Sequence, residues 1–206
     1  MDFIFQIAIL IMSVVIHEVS HGYAARMLGD HTAEYQGRLT LNPLKHLDFV
    51  GSFIVPALAY QFGGFLFGWA KPVPYNPYNL KPGRWSEAKV AFAGPASNIA
   101  VAVIFGLILR VMVYEGGLNI AGPAFIDIVS VIVLINIVLA IFNLVPIPPL
   151  DGSKILFAIF PDKLSYLRSF FERYGMMLVI LFIFFLWQYI FPIVISIFQL
   201  ITGIAI

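Results

Sequence analysis

Two histidines and a glutamate near the start of the chain have the spacing of a metal-dependent hydrolytic site. His17, Glu18 and His21 form a His-Glu-x-x-His set. On a helix, residues four positions apart share a face, so His17 and His21 can bind one metal ion. Glu18 lies one step round the helix, where its carboxylate can act as a general base on a metal-bound water. The pattern therefore predicts metal-assisted hydrolysis.

The segment that carries this motif is apolar. Residues 3–16 contain only Gln6 and Ser13 as polar side chains. Histidines and a glutamate beyond such a run would each cost a few kcal/mol in lipid unless they are paired or ligated. A buried cluster held by hydrogen bonds alone is the alternative, and the apolar setting makes it the weaker interpretation.

The composition is that of a membrane protein. Hydrophobic residues make up 61% and charged residues 11% of the 206 residues, and no cysteine occurs. The absence of cysteine excludes a disulfide framework and a thiolate zinc site. The net charge of +1, without a basic patch, gives no indication of nucleic-acid binding. We expect one all-α polytopic membrane domain over residues 1–206.

Four apolar segments are close to or above the ~20 residues that a helix needs to cross a bilayer. We predict membrane-spanning helices at residues 3–28, 88–114, 123–145 and 174–202. A fifth apolar run, residues 49–69, contains several glycines and a proline, which argue against one straight helix.

The basic residues decide between two topologies for residues 49–69. If this run crosses the membrane, the basic residues divide between the two sides. If it enters and leaves on the same side, all of them except Arg110 lie on one side, as the positive-inside rule prefers. We therefore predict a re-entrant segment, with loops 29–87 and 146–173 in the cytoplasm and both termini outside.

This topology brings further polar residues to the cytoplasmic side of the membrane. Asn98 follows the start of the second span, and Asn143 lies near the end of the third, before a proline-rich stretch and Asp151. Two imidazoles and one carboxylate leave a fourth tetrahedral position for water, as in hydrolytic zinc sites. Asp151 could equally begin a turn or cap the short helix after it, so the residues alone leave both interpretations open.

Three motifs, in this order, resemble those of the site-2 protease family, peptidase family M50. They are His-Glu-Val-Ser-His-Gly-Tyr at 17–23, Gly-Pro-Ala-Ser-Asn at 94–98, and the stretch 143–152 that ends in Leu-Asp-Gly. Residues 37–43 and 68–74 are similar to the compact bacterial and archaeal branch, which lacks PDZ and CBS domains. Members of this family are intramembrane zinc metalloproteases.

The resemblance implies a zinc site with assigned roles. His17, His21 and Asp151 would hold one Zn²⁺ per chain, and Glu18 would serve as the general base. The expected activity is hydrolysis of peptide bonds within or near the transmembrane segments of substrate proteins in the lipid bilayer, on the cytoplasmic side.

Two asparagines are predicted to stabilise the reaction. The tetrahedral oxyanion needs a hydrogen-bond donor besides zinc, and Asn98 and Asn143 are the side chains we expect to supply it. The resemblance supports a place near the substrate for both, although an amide within a span can instead bond a neighbouring helix. Residues 37–41 alternate like an edge strand and could add an unwound substrate as a neighbouring strand.

Two other classes of function remain open on the residues alone. A metal-dependent oxygenase can use two histidines and a carboxylate around Fe(II), but that chemistry leaves Glu18 without a role. A non-catalytic membrane binding protein or transporter could retain the metal. The sequence indicates neither the substrate nor the oligomeric state.

Overall fold

The computed structural model describes residues 3–63, 71–114, 122–160 and 165–204. Its α-helices are α1 (Phe3–Met27), α2 (Thr32–Tyr35), α3 (Val55–Gly63), α4 (Ser86–Tyr114), α5 (Pro123–Asn143), α6 (Asp151–Ile159), α7 (Ser165–Leu181) and α8 (Trp187–Thr202). Short 3-10 turns lie at Pro43–Lys45 and Pro77–Asn79, and wide π turns at Val50–Ile54 and Phe182–Leu186.

Within the described ranges, four helical segments have the length and apolar composition to cross a membrane: Ile4–Met27, Ser86–Met112, Pro123–Asn143 and Arg168–Thr202. The prediction of an all-α polytopic protein with four spans is confirmed. The fourth membrane-spanning segment begins before residue 174, where the sequence predicted its start. A hydrogen-bonded pair four positions apart, Arg168 and Glu172 at 2.8 Å, stabilises its first turns.

The structure shows neither the predicted strand nor the predicted re-entrant path. Residues 37–41 form no strand, because a strand needs a partner and the described part of the chain offers none to this segment. The apolar run that begins at residue 49 forms the π turn Val50–Ile54 and then α3. Its return to the same side of the membrane stays a prediction, since residues 64–70 lie outside the described ranges.

A hydrophobic core joins α4, α5 and α8. Leu109 of α4, Val133 of α5 and Phe198 of α8 are fully buried in this core. Gly106 allows α4 and α8 to approach closely, because a Cβ there would lie 2.3 Å from Ile201 Cγ2. Close contact through small residues is how helices associate in a medium as apolar as their own side chains.

Helix α1 packs antiparallel to α4. Ser13 lies opposite Asn98, and His21, two turns further along α1, lies opposite Val90 near the start of α4. The motif on α1 therefore meets the N-terminal half of α4.

Two glycines allow neighbouring helices to pack closely against the connection from α5 to α6. A Cβ at Gly152 would lie 2.2 Å from the Leu144 carbonyl oxygen, and one at Gly175 would lie 2.2 Å from the Pro148 carbonyl oxygen. The chain thus passes between α6 and α7 at distances that only glycine permits. This packing fixes where α6 begins and so where Asp151 is placed.

Candidate metal centre

Three side-chain atoms from two distant parts of the chain converge at the cytoplasmic end predicted for the first span. The Nε2 atoms of His17 and His21 lie 3.0 Å apart, and Asp151 Oδ2 lies 3.2 Å from the first and 3.1 Å from the second. All three residues are buried. The structure therefore brings together the two histidines and the aspartate that the sequence singled out.

The Nδ1 atoms of both histidines form hydrogen bonds with neighbouring residues. His21 Nδ1 donates to the Val90 carbonyl oxygen at 2.7 Å, and His17 Nδ1 donates to Asn98 Oδ1 at 2.6 Å. Neutral histidines in these tautomers direct the lone pairs of both Nε2 atoms at the Asp151 carboxylate. Three acceptors then face one another with no hydrogen between them, which is the arrangement that a cation stabilises.

The spacing of these atoms fits a tetrahedral zinc ion. Zinc bonds of about 2.0–2.2 Å at tetrahedral angles separate ligand atoms by roughly 3.3–3.5 Å, close to the distances observed. Gly94 leaves the space open, because a Cβ there would lie 2.5 Å from His21 Nε2 and 2.6 Å from His17 Nε2. The residues present therefore fit the metal that their types predict.

Behind His17, a buried chain of hydrogen bonds crosses three helices. Asn136 Nδ2 donates to the Ile132 carbonyl oxygen at 2.9 Å, which fixes the orientation of its amide. Asn136 Oδ1 then accepts from Asn98 Nδ2 at 2.7 Å, and Asn98 Nδ2 also reaches the Ser13 carbonyl oxygen at 3.3 Å. This leaves Asn98 Oδ1 to accept from His17. Partners of this kind hold a ligating histidine in one tautomer and one orientation.

Glu18 is held by the backbone of a distant segment. The Val73 N–H donates to Glu18 Oε2 at 2.8 Å. Ligand atoms of His17, Glu18 and His21 all lie within 4.8 Å of one another. The carboxylate of Glu18 is thus anchored on one side and close to the converging nitrogens on the other.

The segment that holds Glu18 runs from Lys71 to Asn76, and we call it the strap. Arg38 Nη2 donates to the Lys71 and Pro72 carbonyl oxygens at 2.8 and 3.3 Å. The Lys71 N–H donates to the His46 carbonyl oxygen at 2.7 Å. At the other end, the Asn76 N–H donates to Asp30 Oδ2 at 2.8 Å. The strap is therefore fixed at both ends and at Glu18.

A cavity of about 190 Å³ opens beside these residues. Its lining within the described part of the chain comprises His17, Glu18, His21, Pro72, Val73, Tyr75, Asn143, Pro149, Asp151 and Lys154. Asn98 is absent from this lining and is fully buried. The two asparagines that the sequence grouped together thus lie in different places, one behind His17 and the other facing the cavity.

The sequence also matches a known family at these positions. The model of peptidase family M50 matches residues 5–118 and 110–186, which include both parts of the site. The chain belongs to peptidase family M50. Its place in this family confirms the predicted resemblance to site-2 proteases.

Three relatives of this M50 peptidase carry the name "Putative zinc metalloprotease". YwhC of Bacillus subtilis (strain 168) is 38% identical over 81% of this chain and 74% of its own length. Rip2 of Mycolicibacterium smegmatis (strain ATCC 700084 / mc(2)155) is 36% identical over 73% of the chain and 55% of its length. MJ0611 of Methanocaldococcus jannaschii is 32% identical over 74% and 72%. No solved structure matches the chain.

These matches set the class of the protein. The M50 peptidase is an intramembrane zinc metalloprotease of the site-2 type, and zinc is its metal. The four apolar helices found in the described residues make it an integral membrane protein. The sequence-based predictions of enzyme class, metal and membrane location are confirmed at this level.

Sequence reasoning missed three contributors to the site of this M50 peptidase. Asn136 carries a signal, since it is an amide in the middle of the strongly apolar α5. Lys154 also carries one, because it follows Asp151 by three positions and so shares its helix face. Val73 acts through its backbone N–H, which any residue except proline could supply.

Proposed function

We propose that this M50 peptidase hydrolyses peptide bonds within or next to the transmembrane segments of other membrane proteins. His17, His21 and Asp151 would hold the zinc ion, and Glu18 would be the general base. The observation that carries the proposal is the convergence of three acceptor atoms at 3.0–3.2 Å beside Glu18 in a helix of membrane-spanning composition.

When bound, zinc supplies a Lewis acid and lowers the pKa of water toward ~7. Glu18 accepts one proton from the attacking water while the water oxygen bonds to the peptide carbonyl carbon. The π electron pair of the carbonyl moves to its oxygen. When the C–N bond breaks, Glu18 returns the proton to the leaving nitrogen. The Val73 N–H keeps the carboxylate in place during both transfers.

The two predicted oxyanion donors receive different roles in this proposal. Both Asn98 amide hydrogens are engaged, by Asn136 Oδ1 and by the Ser13 carbonyl, and its Oδ1 accepts from His17. Asn98 therefore orients His17 and does not contact the substrate. Asn143 lines the cavity, and Leu139 accepts one hydrogen bond from its amide at 3.0 Å. Its remaining N–H is directed to the substrate backbone.

The orientation in the membrane belongs to the same proposal. The site would face the cytoplasm with both chain termini outside, because nearly all basic residues then lie on the cytoplasmic side. Residues 37–41 would pair with an unwound substrate segment as an added strand, which supplies the main-chain hydrogen bonds that lipid cannot. Leu39 packs against Gly22 of α1 and so keeps this segment next to the site.

The proposal is tested by locating the cut bond. Wild-type protein in vesicles is given a single-span peptide with helix-breaking residues near its cytoplasmic end, and mass spectrometry identifies the products. We expect cleavage in or beside the apolar segment, and none by the Glu18→Gln variant. Cleavage confined to soluble flanks, or equal cleavage by both proteins, would contradict the proposal. No cleavage by zinc-loaded wild type would favour the non-catalytic alternative.

A further inference from the structure

The cavity beside the candidate zinc site contains few groups that can donate a hydrogen bond to a substrate. Once the three converging residues and Glu18 are set aside, the side-chain donors in its described lining are Tyr75, Asn143 and Lys154. Only Lys154 carries a positive charge. A group that stabilises developing negative charge in a cavity of low dielectric is most effective when it is itself charged and already in position.

Lys154 is positioned by the same helix that provides Asp151. Its Nζ atom lies 3.9 Å from Asp151 Oδ1 and 5.1 Å from the centre of the Tyr75 ring. Asp151 and Tyr75 therefore hold the ammonium group over the cavity, and the side chain remains about one-third accessible at 34%.

No short contact with a described residue neutralises the charge of Lys154. The separation of 3.9 Å from Asp151 is too long for a hydrogen bond. By contrast, the guanidinium groups of Arg26 and Arg168 lie 2.9 and 2.8 Å from the carboxylates of Glu34 and Glu172. Among the hydrogen bonds between described residues, Lys154 Nζ donates none. Within the described part of the chain, no residue occupies its three donors, which can therefore reach a ligand in the cavity.

We propose that Lys154 is a catalytic residue that donates a hydrogen bond to the carbonyl oxygen of the scissile peptide. This role rests on the proposed function. As water oxygen bonds to the carbonyl carbon, the π electron pair moves to the carbonyl oxygen, and the ammonium group stabilises the resulting negative charge. No proton leaves Lys154, because Glu18 accepts the water proton and returns it to the leaving nitrogen.

A second role for Lys154 makes different predictions and can be separated by experiment. The ammonium group could act only through Asp151, by holding the carboxylate in the orientation that binds zinc. Loss of that contact would weaken zinc binding, and activity would return when excess zinc is supplied. Loss of a donor to the substrate oxygen would lower kcat while zinc stays bound.

The test compares Lys154→Met with Lys154→Arg in purified, zinc-loaded protein. Met matches the length of the side chain without its charge, and Arg keeps the charge and the donors. The measurements are kcat and KM on the single-span peptide, bound zinc, and zinc retention against a chelator. Lys89→Met is the control, because Lys89 is an exposed lysine outside the cavity lining.

We expect Lys154→Met to lower kcat by about 10²–10³-fold, with KM and zinc retention close to those of the wild type. Lys154→Arg should restore a large part of the rate, and Lys89→Met should match the wild type. A Lys154→Met rate within about threefold of the wild type, failure of Arg to restore the rate, or a loss that excess zinc reverses would each overturn the proposal.

Failure of this proposal can be told apart from failure of the proposed function. If the wild type cleaves the peptide, Glu18→Gln does not, and Lys154→Met is as active as the wild type, only the role of Lys154 is refuted. If the wild type cleaves no membrane-spanning peptide, the proposed function fails and this role fails with it.

Discussion

The backbone N–H of Val73 donates a 2.8 Å hydrogen bond to Oε2 of Glu18, a residue 55 positions earlier in the chain. Val73 lies between Pro72 and Pro74, which have no N–H to offer. Neither neighbour can therefore replace the Val73 N–H as the donor that holds Glu18. The placement of the candidate base is decided by contacts outside the helix that carries it.

Arg38 should affect catalysis through the strap. Its guanidinium donates to the Lys71 and Pro72 carbonyls, so Arg38→Met should let the Val73 N–H shift away from Glu18. We expect kcat to fall by about 10–100-fold while bound zinc is unchanged, since small displacements of a catalytic group are costly. Steady-state kinetics and zinc analysis on the same preparation check this prediction.

Arg26→Met provides a matched control for Arg38→Met. The Arg26 guanidinium pairs with Glu34 at the partly exposed end of α1, and among the described residues it makes no hydrogen bond to the strap. It should retain wild-type kinetics. If Arg38→Met lost zinc and activity in parallel, or lost neither, Arg38 would not act through the position of Glu18.

The hydrogen bonds behind His17 should determine zinc affinity. Asn98→Ala removes the acceptor for His17 Nδ1, and Asn136→Ala leaves an Asn98 N–H without its partner. Partners of ligating histidines typically change affinity by about 10–100-fold, so we expect the larger loss for Asn98→Ala. Competition with a chelator measures the zinc affinity.

Asn143→Ala is the contrasting variant, which should keep zinc and lose activity. Equal zinc affinity in all three variants would refute the assignment of different roles to Asn98 and Asn143.

Zinc binding should require glycine at position 94, because a side chain there would crowd the two histidines. In Gly94→Ala, the methyl group would lie 2.5 Å from His21 Nε2 and 2.6 Å from His17 Nε2, so the site should no longer hold zinc. Gly106→Ala is equally crowded, against Ile201 of α8, but lies away from the site. It should lower thermal stability and keep its zinc. Stoichiometric zinc in purified Gly94→Ala would contradict the placement of α4 against α1.

Asp30 should make stability depend on pH. Burial opposes ionisation of its carboxyl group, but hydrogen bonds from Thr32, Asn79 and Asn76 outweigh this effect and lower the pKa of Asp30. A depressed pKa in the folded state contributes stability above the unfolded-state pKa of about 4, and this stability is lost as the pH falls through the folded-state pKa.

The Asp30→Asn variant tests this dependence. Its amide cannot accept all of these hydrogen bonds, so we expect a lower Tm than the wild type at pH 7 and a smaller difference at pH 3. Thermal unfolding in detergent at several pH values measures both. A Tm difference that is constant with pH would refute the role of Asp30.

Part of the site could be predicted because its signal is local or strongly patterned. His17 and His21 are four positions apart on one apolar helix, which places both on one face before any tertiary contact is known. From the residues alone, Asp151 could be either a metal ligand or a helix cap. Only the packing around Gly152 and Gly175 brings its carboxylate within 3.2 Å of both histidines.

The rest depended on contacts that a sequence pattern does not contain. The alternation in residues 37–41 indicates an extended segment, but a strand needs a partner that the pattern cannot name. Asn98 and Asn143 are the same residue type in similar apolar surroundings, and only the position of Asn136 shows that Asn98 faces His17. Val73 contributes its backbone N–H, which cannot be inferred from the type of its side chain.

The central claim is that zinc held by His17, His21 and Asp151 works together with Glu18 to hydrolyse a peptide bond. The most direct test measures bound zinc and cleavage of a single-span peptide by purified wild type and Glu18→Gln. We predict one zinc per chain in both proteins, and a rate at least ~10²-fold lower for the variant, since the base is lost and the ligands remain. Equal cleavage by both proteins, or a folded wild type that binds no zinc, would contradict the claim.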